Sequence, residues 1–134
     1  MLRLGAPAAG RGRARFPFRV PPDEPGPLLF FGNLGYFHNV EPACFGAREV
    51  LPRVRRELSH TQLRIAGARP AGAVSELDRL PGVDVVGPVD DMACELHRAG
   101  VALLPMFSGS GVKNKVLEAF CSGTPVVTNG AGIQ

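Results

Sequence analysis

Between Ser108 and Gly123 the chain reads SGSGVKNKVLEAFCSG, a Gly- and Ser-rich loop running into a helical pattern that carries two lysines and one acid. A loop of this kind, placed after a buried strand, presents the free N–H groups and positive dipole end of the following helix to an anion. Gly109 and Gly111 allow close backbone approach to a ligand, and Ser108 or Ser110 can donate a hydroxyl hydrogen bond. Lys113 and Lys115 fall in the first helical turn, where the dipole disfavours cations and helix stability alone would select acids. A phosphate ligand resolves that local conflict. Glu118 lies too late in the helix to serve the dipole. It either pairs with Lys115 three residues earlier or accepts hydrogen bonds from a ribose diol.

Other chemistries lack their residues. GxxxxGK[ST] is missing, and no GxGxxG follows the first apolar run, which argues against an ATPase and an ordinary NAD site. No Asp-x-Asp and no His/Cys cluster points to a metal, and no cofactor is expected. The net charge of +3 arises largely from an Arg-rich opening, and one tyrosine with no tryptophan offers little for base stacking; nucleic acid is not an expected partner. Three widely spaced cysteines, Cys44, Cys94 and Cys121, read as buried free thiols of a reducing compartment. No apolar run approaches the roughly 18 residues of a membrane span. A cytoplasmic location is therefore expected.

The elements that must position these residues follow from the apolar pattern. Residues 1–27 mix Gly, Pro and Arg without periodicity and read as a tail or linker. From Leu28 onward, short apolar runs alternate with amphipathic ones, the pattern of βα units around a parallel sheet. The expected strands are Leu28–Phe31, Gln62–Ala66, a run over Val83, Val85 and Val86, Val101–Pro105, and one beginning at Pro125–Thr128. Between them lie a long surface helix with Ala43, Ala47, Val50, Leu51, Val54 and Leu58 on its apolar stripe, and a short helix from Val74 to Leu80. Next come a helix capped by Asp90 and closed by Gly100, and one from Val112 to Ser122 stopped by Gly123. His60 and His97 read as solvated helix residues. The fold class is α/β, a Rossmann-like parallel sheet with helices on both faces. In such a sheet the ligand sits beyond the carboxyl ends of the strands, at Gly32–Asn39, Gly67–Pro70, Gly87–Asp91 and Met106–Gly111.

The run GSGVKNKVLEAFCSGTPVVTN resembles the donor-binding signature of group 1 glycosyltransferases of the GT-B fold: a Gly-rich turn, a helix with a Glu-Ala pair, a small residue and Gly, then Pro-Val-Val. FFGNLGYFHNVEPA, LRIAGARP, VDVVGPVDD and AGVALLPMFSGSG continue the likeness in the family's order, over Leu28 to Gly132. The resemblance implies metal-independent, retaining transfer from a nucleoside diphosphate sugar. Glu118 would hold the ribose, and the Gly109–Gly111 turn, with Lys113 and Lys115, would lie at the diphosphate. Gly32 and Asn33 would form the first turn of the donor site, and the backbone around Val86–Val89 would border the base. The chain departs from the family pattern at Ser110, where many members carry a second Glu. It departs again at Asn33, His38 and Asn39, where many carry a basic pair, which leaves Lys113 and Lys115 as substitutes. His38 either contacts ligand or caps the long helix with Asn39.

In the GT-B fold the acceptor, a carbohydrate or lipid-linked glycan, docks on a second domain. By this resemblance residues 28–134 are expected to correspond to the donor half, incomplete at its C-terminus. The chain alone is accordingly expected not to turn over substrate. The alternatives are another GT-B-fold enzyme, such as a nucleotide-sugar epimerase, and a non-catalytic Rossmann-like interaction module. In the latter, Lys113, Lys115 and Glu118 would be surface residues.

Overall fold

A computed structural model describes residues 25–107 and 112–129. Five short parallel strands, β1 (Leu28–Phe31), β2 (Leu63–Ala66), β3 (Val83–Gly87), β4 (Val101–Leu104) and β5 (Val126–Thr128), form one sheet in the order β3-β2-β1-β4-β5. Leu29, Phe30 and Phe31 of β1 are buried, as are Leu63, Ile65 and Ala66 of β2 and Ala102, Leu103 and Leu104 of β4. Consecutive apolar residues in the central strands thus meet a layer on each side of the sheet.

The order also dictates where the helices go. The chain steps outward from β1 to β2 to β3, then returns to pair β4 with the other edge of β1 and continues to β5. Right-handed crossovers therefore place α1 (Phe37–Phe45), α2 (Leu51–Glu57) and α3 (Gly72–Ser75) on one face, and α4 (Met92–Arg98) and α5 (Val112–Cys121) on the other. This is the Rossmann-like α/β layering expected from the βα alternation. The reversal makes the gap between β1 and β4 the topological switch point. All four residues of β1 pair with β2, but only Leu28 and Leu29 pair with β4, opposite Val101 and Ala102. Beyond that register the two strands part.

Several local expectations are corrected. The long helix begins at Phe37 and is interrupted by one wide turn, Gly46–Val50, in which the Leu51 N–H reaches back five residues to the Gly46 carbonyl. Pro52 follows directly; lacking an N–H, it cannot make the ordinary bond to residue 48, and the wider turn relieves its ring from that carbonyl. The N-cap of α4 is Asp91, whose side chain accepts from Ala93 N at 3.0 Å, and not Asp90. Gly100 does not close α4, because the helix ends at Ala99 in extended conformation (φ −69°, ψ 141°). Gly100 instead donates its N–H to Pro27 O. Gly123 does stop α5: it has φ +74°, and Thr124 N returns to Ala119 O. Cys94 is exposed and Cys44 and Cys121 are half-buried, so the thiols are not core residues. His97 is half-buried, with Nε2 shielded from solvent, because its helix lies against the sheet; His60 sits in a turn and not in a helix. Among the described residues, no helix is long and apolar enough to cross a membrane.

Two glycines hold the carboxyl ends of β1 and β2 together. Gly32 and Gly67 have φ +150° and +151°, and a Cβ on Gly67 would collide with the Gly32 carbonyl oxygen. Around them Leu34 N donates to Ala68 O and Ala71 N donates to Leu34 O. Gly67→Ala is therefore expected to destabilise the chain by about 1 to 3 kcal/mol, combining backbone strain with the clash. Gly72→Ala, at the first residue of α3 where a Cβ meets nothing within 4 Å, is expected to be neutral or stabilising by up to about 1 kcal/mol. Urea denaturation of the two variants checks both; equal losses would refute the role assigned to Gly67.

Candidate functional site

The switch-point gap is bordered on the β1 side by the turn Gly32–Tyr36 and on the β4 side by Pro105–Phe107. Asn33 builds the first turn: its Oδ1 accepts from Gly35 N at 3.0 Å, and its carbonyl accepts from Tyr36 N at 3.2 Å. That carbonyl also accepts from Asn39 Nδ2 at 2.8 Å. On the opposite side, Asn129 binds Met106 at both ends, its Oδ1 accepting from Met106 N (3.1 Å) and its Nδ2 donating to Met106 O (2.6 Å). Thr128 Oγ1 donates to Leu104 O at 2.7 Å. The residues leaving β5 thus anchor the root of the loop that leaves β4.

Lys115 spans the gap. It arises in the first half of α5, yet its Nζ donates to Asn39 Oδ1 at 2.6 Å, 76 residues away in sequence, and lies 4.9 Å from the centroid of the Phe30 ring. Gly32 leaves the space this requires, since a Cβ there would stand 2.6 Å from Lys115 Nζ. Burial pushes the Lys115 ammonium down to about 8, with the Glu118 carboxylate acting in the opposite sense. The contacts holding the ammonium are an amide oxygen and an aromatic face, both neutral. A cation held this way keeps most of its charge available for an anion entering the gap.

Of the residues picked out by sequence, Gly32, Asn33 and Lys115 come together at one place. Glu118 lies on the same helix about one turn beyond Lys115 and is exposed. The salt bridges among the described residues join Arg64 to Asp84 and to Glu95, and the Lys115–Glu118 ion pair weighed from the i,i+3 spacing is not among them. The Lys115 ammonium is turned inward instead. Ser108, Gly109, Ser110 and Gly111 lie outside the described residues, as does the Lys113 side chain. The idea that His38 and Asn39 cap the first helix is overturned: the N-cap is Tyr36, without a side-chain cap. The His38 ring packs on those of Phe37 and Tyr36, with centroids 4.0 and 4.9 Å away, and Asn39 serves Lys115.

Asn39, Phe30 and Asn129 are the site residues that sequence reasoning did not assign. Asn39 is buried on the first turn of an amphipathic helix; its Nδ2 is used locally by the Asn33 carbonyl, and the buried amide oxygen left over calls for a distant donor. A cavity of about 730 Å³ lies at the opposite, amino end of β1–β3, beside His60, Arg64 and Asp84. Its guanidinium is already committed, Arg64 binding Glu95 through Nε (2.9 Å) and Nη2 (3.2 Å) and Asp84 through Nη1 (3.0 Å). The switch-point gap is the better site, because its cation is not neutralised.

The family model for glycosyl transferases group 1 matches residues 26–134. The chain belongs to the group 1 glycosyltransferases. The match takes in every strand and helix described above and both sides of the switch-point gap. No curated protein matches the chain. Within a group 1 glycosyltransferase domain, Lys115 is a half-buried cation placed where the strand order reverses, and its protonation is open to measurement. Because its folded-state value lies below the usual 10.5, the unfolded chain binds the proton more tightly. Below about pH 8 the cost of burying the charge is fully present. Stability contributed by this residue is expected to rise between about pH 8 and 10.5. Carbon-13 NMR at Lys115 Cε should give a midpoint near pH 8, and Lys115→Met should flatten the stability slope across that window; an ordinary lysine titration would contradict the burial.

Proposed function

We propose that the switch-point gap binds a nucleoside diphosphate sugar and that the domain serves retaining transfer of the sugar to a carbohydrate or lipid-linked acceptor held by a second domain. The observation that carries this reading is Lys115, brought from α5 across the gap to the Gly32 turn and left with neutral partners. A diphosphate leaving group develops negative charge as the sugar departs, and a preorganised, desolvated cation meets that charge at little reorganisation cost. Lys115 is assigned to the diphosphate, together with Lys113 and the Ser108–Gly111 loop at the start of α5. No metal ion or cofactor is assigned a part. Gly32 and Asn33 shape the floor of the donor site, since a side chain at Gly32 would occupy the lysine's path. Glu118, exposed beyond Lys115, is assigned to the ribose diol, and the backbone of Val86–Val89 at the end of β3 to the base.

Calorimetric titration with UDP, GDP and their sugars tests the reading; absence of binding to folded protein at millimolar ligand would refute it. Glu118→Ala is expected to weaken nucleotide binding by about 1 to 3 kcal/mol, the scale of a charge-assisted hydrogen bond. An unchanged dissociation constant in a folded Glu118→Ala variant would remove that residue from the site. Nucleotide affinity is also expected to fall as pH rises through about 8, where Lys115 loses its proton, and Lys115→Met should abolish that dependence.

A further inference from the structure

A second cationic feature lies at the other end of the sheet. A groove of about 440 Å³ runs between the wide turn and α2 on one side and the connector entering β3 on the other. Ala47, Pro52, Leu80 and Pro81 form its apolar lining, Arg48, Arg55 and Arg56 its polar one, and no acid borders it. The helix segregates its charges. Glu49, Arg53 and Glu57, spaced by four residues, follow one side, whereas the residues lining the groove at 48, 52, 55 and 56 follow another. The guanidiniums in the groove take no part in the salt bridges found among the described residues, which belong to Arg64.

One of the three arginines is held in place. Arg55 Nη1 donates to Thr61 O at 2.6 Å, and the guanidinium lies over Gly82, whose left-handed backbone (φ +79°) and missing Cβ leave it room. After that bond Arg55 retains four N–H donors, and Arg48 and Arg56 are exposed with theirs. Three like charges gathered over an apolar floor repel one another unless an anion joins them. Guanidinium forks match the paired oxygens of a phosphate.

We propose that the Arg48–Arg55–Arg56 groove is a binding site for a phosphate-bearing anion, separate from the switch-point gap. Thr61 and Pro81 precede β2 and β3, whereas Gly32 and Gly67 follow β1 and β2, so the two sites are about 13 Å apart along the strands, four residues at about 3.3 Å each. The phosphate belongs either to a soluble ligand or to a lipid headgroup. The site does not depend on the donor assignment, and its test does not involve Lys115.

Nitrogen-15 NMR of the arginine Nε–H groups in the full 134-residue chain, titrated with inorganic pyrophosphate, resolves the groove from the opposite end of the sheet. Cosedimentation with vesicles of phosphatidylcholine and phosphatidic acid in equal parts tests the lipid source. The expected result is saturable binding of at least one probe at Arg48, Arg55 and Arg56. The double variant Arg48→Gln, Arg56→Gln, which keeps Arg55 and its packing, should bind about tenfold more weakly while melting like the parent. Vesicle binding lost in this variant assigns the phosphate to a headgroup; pyrophosphate binding without vesicle binding assigns it to a soluble ligand. The proposal is overturned if neither probe saturates at these arginines, or if the variant binds as tightly as the parent.

Discussion

The pairing of β4 with β1 is the constraint on which the rest of the domain depends. Three strands could be laid outward from β1 with every crossover on one face, but the apolar residues on the other face of β1 and β2 would then meet water. Returning the chain to β1 covers that face with α4 and α5 and leaves one break in the strand order. Because the β1–β4 ladder stops after Leu29 and Ala102, the break opens at its carboxyl end, where a side chain from α5 can enter. The core and the candidate site are thus products of the same reversal.

What enters is a lysine, and its energetics explain the residues around it. An ammonium removed from water costs free energy that an isolated surface lysine does not incur. Asn39 and Phe30 offset part of the cost, and Gly32 removes the steric obstacle. A carboxylate would offset more, but it would cancel the charge. Keeping the near partners neutral leaves that charge for an entering anion, as the proposed donor role would require. The price appears as a lysine held near the edge of deprotonation. By contrast, Arg64, half-buried at the amino end, is paired with two acids and is structural.

Most of the architecture was legible in the chain. The five apolar runs became the five strands to within one or two residues, and Gly123 and the βα alternation meant what their physics says, because each signal is local. The first errors arose where a non-local effect outweighed a local rule. Asp90 and Asp91 are equally good caps by type, and only the path of the chain into α4 selected Asp91. Gly100 looked like a helix stop, but it is needed for close approach to Gly26: a Cβ there would stand 2.8 Å from the Gly26 carbonyl oxygen. The cysteines looked buried because their neighbours are apolar, yet Cys94 falls on the outer side of its helix.

The candidate site divides in the same way. From the residues alone come its chemical character, two lysines and one acid after a Gly/Ser-rich loop, and its place beyond the carboxyl ends of a parallel sheet, since both follow from residue type and period. Tertiary structure alone decided which partners each group has. Lys115 and Glu118 are three residues apart and have the spacing of an ion pair, but the fold turns Lys115 inward to an asparagine 76 positions earlier and leaves Glu118 exposed. No helical period encodes that choice. It depends on the β1–β4 gap, which comes into being only when the chain doubles back on its first strand.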